Sequence, residues 1–234
     1  IIQILKKIGS PAVPYLVRSL KNPNGLLVQR VCWALGDIRD SSAVEPLVQV
    51  STHSRWQVRE QALGALGDIG STGATDAVLF GFNDRVGEVR KAAVVSAGKI
   101  GIEEAVEPLV NMLADGFYGA RLSAVEALLK LDSARVVPVV TDSLGSTRKM
   151  VGDLGCHILG RIGGDRVLDI LWEQTFSSET RRRAHAALAI INADPLDNCG
   201  FQEEIIDRVT DRLTLLRINS AIYSVQNAGQ ETQQ

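Results

Sequence analysis

The sequence predicts an all-α protein, a right-handed α-solenoid built of 31-residue helical hairpins. Three observations predict it. Gly36-Asp37-Ile38 recurs as Gly67-Asp68-Ile69, Gly98-Lys99-Ile100 and Gly160-Arg161-Ile162, and a degenerate copy, Leu129-Lys130-Leu131, falls between the last two. The same step brings Arg59, Arg90, Arg121 and Arg183 into register, with Gly152 the exception, and Ala62, Ala93, Ala124 and Ala186, with Gly155 between them. A second block, Ala43-Val44-Glu45-Pro46-Leu47, returns as Ala105-Val106-Glu107-Pro108-Leu109, and Ala12-Val13-Pro14-Tyr15-Leu16 fills the same slots. A constant period of this length marks stacked supersecondary units, because one short unit cannot bury its apolar face alone.

The chain opens at Ile1-Ile2, without Met, in what reads as the end of a helix. The expectation is that upstream sequence has been removed. The unit from Ser42 to Gly70 shows how each hairpin is written. Its first helix is expected to start near Ser42 as N-cap, with Pro46 in the first turn, where a missing N–H costs little. It runs to about Ser51, and the polar Thr52-His53-Ser54 breaks it. The second helix carries Val58, Ala62, Ala65, Leu66 and Ile69 at helical spacing, one apolar stripe. Gly70 follows where a helix C-cap calls for positive φ. This pattern implies about six repeats over residues 1–194, the first truncated. After Pro195 the frame is lost. Residues 195–226 read as capping helices, with Ile206, Val209, Leu213 and Leu216 in a stripe, and the polar 227–234 as a disordered tail.

Composition narrows the function. Apolar residues make up 45% of the 234 residues and aromatics 5%, so small aliphatic side chains carry the core and suit close helix packing. The formal net charge is −2. Basic and acidic residues balance in both halves of the chain, which argues against general nucleic-acid binding by phosphate neutralisation. The three cysteines, Cys32, Cys156 and Cys199, are too few and too odd for a disulfide framework. No apolar run reaches the roughly 18–20 residues that span a bilayer, and no signal peptide is visible. The expectation is a cytoplasmic protein with no membrane contact.

The motif V-R-x-x-A-x-x-A-L-G-x-I-G, as in Val58-Arg59 through Gly70, resembles the HEAT-like repeats first named in phycobilisome lyases. The resemblance covers roughly residues 5–194. It implies an armadillo-like superhelix whose second helices line a concave face. It says little of function, since such repeats serve many unrelated partners.

No catalytic constellation stands out. His53, His157 and His185 form no H-x-x-H or His-Glu pair, and there is no C-x-x-C. One family with HEAT-like repeats, deoxyhypusine hydroxylase, binds iron through His-Glu pairs, and their absence argues against that activity. A metal site from His157 and His185 would need Asp153 as a third ligand; surface histidines are the simpler reading. Cys32 and Cys156 share a slot with Leu63, Val94 and Val125, which makes them core residues. Cys199 is the one candidate reactive thiol. No phosphate-binding loop or paired carboxylates appear, and no cofactor is expected. The in-frame arginines are expected to bridge to inter-helix turns at Asp84 and Asp115, fixing repeat stacking.

The informative slots are those that vary between repeats. On the second helices they form one stripe: Gln29, Arg30, Trp33; Trp56, Gln57, Glu60, Gln61; Glu88, Lys91; Tyr118, Leu122, Ser123, Glu126; Lys149, Met150, Asp153, His157, Arg161; Arg181, His185. A mixture of aromatic, aliphatic and charged residues is interface-like. For Trp33 and Trp56 the competing reading is that they fill grooves between repeats. The leading function is therefore a protein-binding scaffold that holds another protein on the concave face. The alternative is a bilin lyase subunit or chromophore-protein chaperone. It rests on the segment Gly116-Phe117-Tyr118-Gly119-Ala120-Arg121-Leu122-Ser123-Ala124-Val125, which resembles a repeat of such lyases; only under it would a bilin be a partner. DNA binding is a third reading, through Arg148, Lys149, Arg161, Arg181 and Arg182, diluted by Asp153, Glu173 and Glu179.

Overall fold

Six second helices begin one period apart. They are α3 (Gly25–Ile38), α5 (Trp56–Ile69), α7 (Gly87–Ile100), α9 (Tyr118–Leu128), α11 (Lys149–Ile162) and α13 (Thr180–Ala193) in a computed structural model that describes residues 2–193. The first helices are α2 (Val13–Ser19), α4 (Val44–Val50), α6 (Thr75–Gly81), α8 (Val106–Met112), α10 (Ser133–Ser143) and α12 (Asp165–Gln174). Helix α1 (Ile2–Ile8) precedes them and packs on α3, as the end of a second helix should. No strand occurs among the described residues. The chain divides into two compact units, Ile1–Asp132 and Ser133–Gln234. The expected caps at 195–226, the tail at 227–234 and Cys199 lie outside the described residues.

In the first unit each second helix packs along the next: α3 on α5, α5 on α7, α7 on α9. The recurring Gly-x-Ile explains how closely. A Cβ added at Gly36 would stand 2.9 Å from the Cα of Ala65, one at Gly67 2.8 Å from the Cα of Ser96, and one at Gly98 2.9 Å from the Cα of Ala127. The glycine is there because the next helix's backbone occupies the space. The apolar stripe behind it is sealed, with Leu35, Leu47, Leu63, Leu66, Leu109 and Leu113 at 0–1% exposure. Ser96 fits this dry seam because its hydroxyl donates to the Leu63 carbonyl at 2.8 Å.

The turns repeat as strictly. A short 3₁₀ turn precedes each first helix of this unit: Ser10–Ala12, Ser41–Ala43, Thr72–Ala74 and Glu103–Ala105. This moves the cap expected at Ser42. Asp40 caps instead, its carboxylate accepting from the Ser42 N–H at 2.9 Å and the Ser42 hydroxyl at 2.7 Å. Ser42 lies inside the 3₁₀ turn, which places the acceptor two residues earlier. Gly70 and Gly101 take the left-handed conformation, φ 73° and 78°, as the C-cap reading requires. Arg39 fills the same slot one period earlier and takes φ 58° despite its side chain.

In the second unit α11 packs on α13 by the same device. A Cβ on Gly160 would meet Ala189, at 2.9 Å from its Cα. The core holds Ile158, Leu159 and Leu171, all at 0% exposure. Cys32 of the first unit and Cys156 of the second are both 0% exposed, the core slots expected of them. Burial pushes each thiol up to about 12, which disfavours the thiolate form in the folded protein.

Candidate functional site

The frame beneath the variable stripe is a ladder of arginines. Arg59 is only 7% exposed. Its Nε and Nη2 hold both carboxylate oxygens of Asp84 at 2.6 and 2.8 Å. Its Nη1 donates back to the carbonyls of His53 and Ser54. Arg90 repeats this one period on, gripping Asp115 at 2.7 Å through both nitrogens and donating to the Asp84 carbonyl at 2.8 Å. Each aspartate also accepts the N–H two residues on, from Val86 and Phe117, so it closes its own turn. Arg121 donates to the Asp115 carbonyl, and Arg183 to that of Ser177. Bidentate arginine–carboxylate pairs fix orientation as well as distance. Burial pushes the Asp84 and Asp115 carboxyls up, but the arginine hydrogen bonds, the backbone N–H bonds and the arginine charge outweigh it, and both end below the ordinary carboxylate value. The in-frame arginines are thus structural.

Above this frame, the first unit presents Gln29, Arg30 and Trp33 on α3; Trp56, Gln57, Glu60 and Gln61 on α5; Glu88 and Lys91 on α7; and Tyr118, Leu122, Ser123 and Glu126 on α9. All are exposed or half-buried. Trp33 is 39% exposed, Tyr118 67% and Leu122 51%, while Trp56 is half-buried. The Arg121 guanidinium stacks on the Tyr118 ring at 5.4 Å. A shallow groove of about 360 Å³ is lined by Leu26, Gln29, Arg30, Trp33 and Gln61. Leu26, 53% exposed, completes the groove and escaped the sequence reading. One period on, its slot holds Gln57 and then Glu88, so a leucine among polar residues was the available signal. Glu60 is pushed up by partial burial and by the charge of Glu88, which Lys91 partly offsets.

In the second unit Lys149, Met150, His157, Arg161 and Arg181 are exposed, and His185 is half-buried. Asp153 differs: it is 5% exposed. Its Oδ2 lies 3.0 Å from the Arg181 guanidinium, and its Oδ1 3.7 Å from His185 Nδ1, which is itself bonded to the Arg181 carbonyl at 2.8 Å. Asp153 is therefore part of the α11–α13 packing and leaves the exposed stripe. Arg182 was also unforeseen in its role. It occupies the slot of Val58, Val89 and Val151, yet its side chain is 12% exposed and lies over Gly152. Gly152 is the exception in the arginine register, and the guanidinium next door fills the space its missing side chain leaves.

Among the described residues no three His, Cys, Asp or Glu side chains gather in a way that would hold a metal ion, and no helix is long and apolar enough to cross a membrane. A sequence comparison with curated proteins finds no match. Among solved structures the chain is similar to an engineered protein, at 21% identity over 77% of this chain and 96% of that one, TM-score 0.52. It is similar to a designed armadillo repeat protein, at 17% identity over 78% and 100%, TM-score 0.50. It is also similar to the complex of CpcE and CpcF of phycocyanin lyase from Nostoc sp. PCC7120, at 16% identity over 94% and 84%, TM-score 0.50. At these identities the likeness concerns the fold. The family model for HEAT repeats matches residues 44–128 and 106–191, more than half of the sequence. With its period, its arginine ladder and this match, the chain belongs to the HEAT repeat family.

Proposed function

We propose that this chain is a binding scaffold for another protein, held on the exposed face of the second helices. The observation that carries the reading is a set of large apolar side chains left in solvent on one face of the first unit. Leu26, Trp33, Tyr118 and Leu122 are 39–67% exposed above a fully sealed core. Exposing such residues together has no folding benefit, and aromatic anchors with polar neighbours are what protein interfaces use. The arginine ladder supports the reading from below for Tyr118 and Leu122, since Arg90 on α7 grips Asp115 in the turn that leads into α9 and so fixes the helix that carries them, which lowers the entropy cost of binding. The test is affinity capture from the native extract with wild type, Trp33→Ala and Tyr118→Ala. Both variants keep the wild-type fold, and each weakens capture of the same partner by about 1–4 kcal/mol. Folded variants that retain every partner would move the binding surface elsewhere.

A second reading, a bilin lyase subunit of the phycobilisome-lyase type, is supported by the segment Gly116–Val125. Here Phe117 packs against Gly87 and Gly119, so the glycines of that segment serve helix packing. An absorbance titration with a free bilin separates the two readings: a lyase subunit shifts the bilin spectrum and a protein scaffold leaves it unchanged.

A further inference from the structure

We infer that the edge of the first unit formed by its first-to-second-helix turns is a docking surface for an acidic segment of a partner protein. The inference goes beyond the scaffold reading, since none of its cations belongs to the exposed stripe of the second helices. The turns are residues 20–24, 51–55, 82–86 and 113–117. They hold three cations, Lys21, Arg55 and Arg85, and two carboxylates, Asp84 and Asp115. Both carboxylates are already neutralised: Arg59 holds the two oxygens of Asp84, and Arg90 those of Asp115. Arg85 is near enough to Asp84 to act on its charge but makes no ion pair with it. Lys21, Arg55 and Arg85 are therefore the charge this edge presents, and all three are exposed without an ion-pair partner. Arg18, in the last turn of α2 just before Lys21, is exposed and unpaired as well. Carboxylates lie at the opposite turns, where Asp40, Glu103 and Glu104 precede the first helices α4 and α8.

Neighbouring turns are contiguous. Arg55 lays its stem over Gly25 at the start of α3, and Arg59 reaches from the carbonyls of His53 and Ser54 across to Asp84. Stacked helices lie about 8–10 Å apart, so the cations are stepped along the edge at roughly that interval. Three residues of an extended polyproline-II segment rise about 9 Å and return to the same side, so a carboxylate at every third residue meets one cation per turn. Between the second and third turns lies a cleft of about 460 Å³, lined by His53, Ala77, Phe80, Asn83 and Arg85 among others. Phe80 is 70% exposed there and offers an apolar contact. His53 Nδ1 accepts the Arg55 N–H at 3.0 Å, so the neutral ring carries its proton on Nε2, as a donor. An apolar wall beside donors fits an aliphatic side chain next to a carboxylate. A nucleic acid fits less well, because a duplex presents one phosphate charge per about 1.7 Å of axis, far denser than one cation per turn, and the whole chain has net charge −2.

The test uses the full chain and three fluorescein-labelled probes: a peptide of glutamate-leucine-serine repeats, its lysine-for-glutamate counterpart, and a single-stranded oligonucleotide of equal length. Fluorescence anisotropy is expected to show binding of the acidic peptide alone, weakening severalfold between about 50 and 200 mM salt. Lys21→Gln, Arg55→Gln and Arg85→Gln together weaken it at least about tenfold with little change in melting temperature. Lys149→Gln, which removes a cation from the second unit, leaves it unchanged, so the effect belongs to this edge and not to net charge. Trp33→Ala leaves it unchanged too, so failure of the scaffold reading and failure of this one are told apart by different variants. No binding of the acidic peptide by wild type overturns the inference, as does equal affinity of wild type and the triple variant, or tighter binding of the oligonucleotide than of the acidic peptide. If the triple variant unfolds, Arg85→Gln alone decides it: a severalfold loss supports the inference and unchanged affinity overturns it.

Discussion

Arg39 bears a cost that Gly70 and Gly101 avoid. It is the one non-glycine residue with positive φ among the described residues, at φ 58°. The left-handed conformation costs an L-residue roughly 1–2 kcal/mol, because Cβ crowds the following carbonyl. Arg39→Gly removes that strain and adds back some unfolded-state entropy. The expected net is a gain of about 0.5–1 kcal/mol, read as a higher urea midpoint at unchanged slope. A loss of stability would mean that the arginine side chain contributes more than its backbone strain costs. The C-cap was legible at Gly70 from residue type alone; at Arg39 it was not, because period and not propensity dictates the turn. The cap at Asp40 was missed for a related reason. Ser42 looked like an N-cap, but the 3₁₀ turn that precedes α4 puts the acceptor earlier.

Between helices, two kinds of glycine separate. Gly98 sits where a Cβ would stand 2.9 Å from the Cα of Ala127. Gly64 on α5 has nothing within 4 Å of its would-be Cβ. Gly98→Ala therefore pushes α9 off α7 and is expected to destabilise by about 1–3 kcal/mol. Gly64→Ala removes helix-interior backbone entropy and is expected to stabilise by up to about 1 kcal/mol. Thermal melts that order the two variants the other way would contradict the seam. The ladder gives a pH dependence. Asp84 and Asp115 have folded-state values below the ordinary one, so they bind fewer protons folded than unfolded at acid pH. Their contribution is complete above the unfolded value of about 3.9 and is lost as pH falls through the lower folded values. Melting temperature should fall steeply in that acid window. Asp115→Asn should lower it already at neutral pH, costing about 3 kcal/mol of stability by leaving Arg90 without its carboxylate, and should flatten the remaining acid dependence. An unchanged acid profile would remove Asp115 from the ladder. The arginine register and both aspartates were visible in sequence, because bond partners here sit at a fixed chain separation. The reason for Gly-x-Ile was not, because it depends on a backbone distance between neighbouring helices.

The whole molecule consists of two compact units, Ile1–Asp132 and Ser133–Gln234. In arrays of repeats stability is close to a sum of repeat and nearest-neighbour terms, so a core lesion is felt mainly within its own unit. Leu66→Ala and Leu159→Ala each empty a fully buried site and should each cost about 2–5 kcal/mol. Amide hydrogen exchange is the measurement that locates the loss. Leu66→Ala should raise exchange in α5 and α7 more than in α11 and α13, and Leu159→Ala the reverse. A uniform rise from either variant would show a single cooperative molecule. The division falls where the repeat signature is degenerate, at Leu129-Lys130-Leu131, and α9 there ends at Leu128, earlier than its counterparts. By itself the sequence determined the all-α class, the period, the buried slots of Cys32 and Cys156 and the side of the second helices that stays wet. Each of these follows from residue type at a fixed spacing along one chain. Only the tertiary structure decided that Asp153 is buried while Arg181 beside it is exposed, that Arg182 fills the space over Gly152, and that Leu26 joins Trp33 in a groove. Those outcomes depend on which side chain of the next helix covers a slot, and periodicity assigns the slot without assigning its cover.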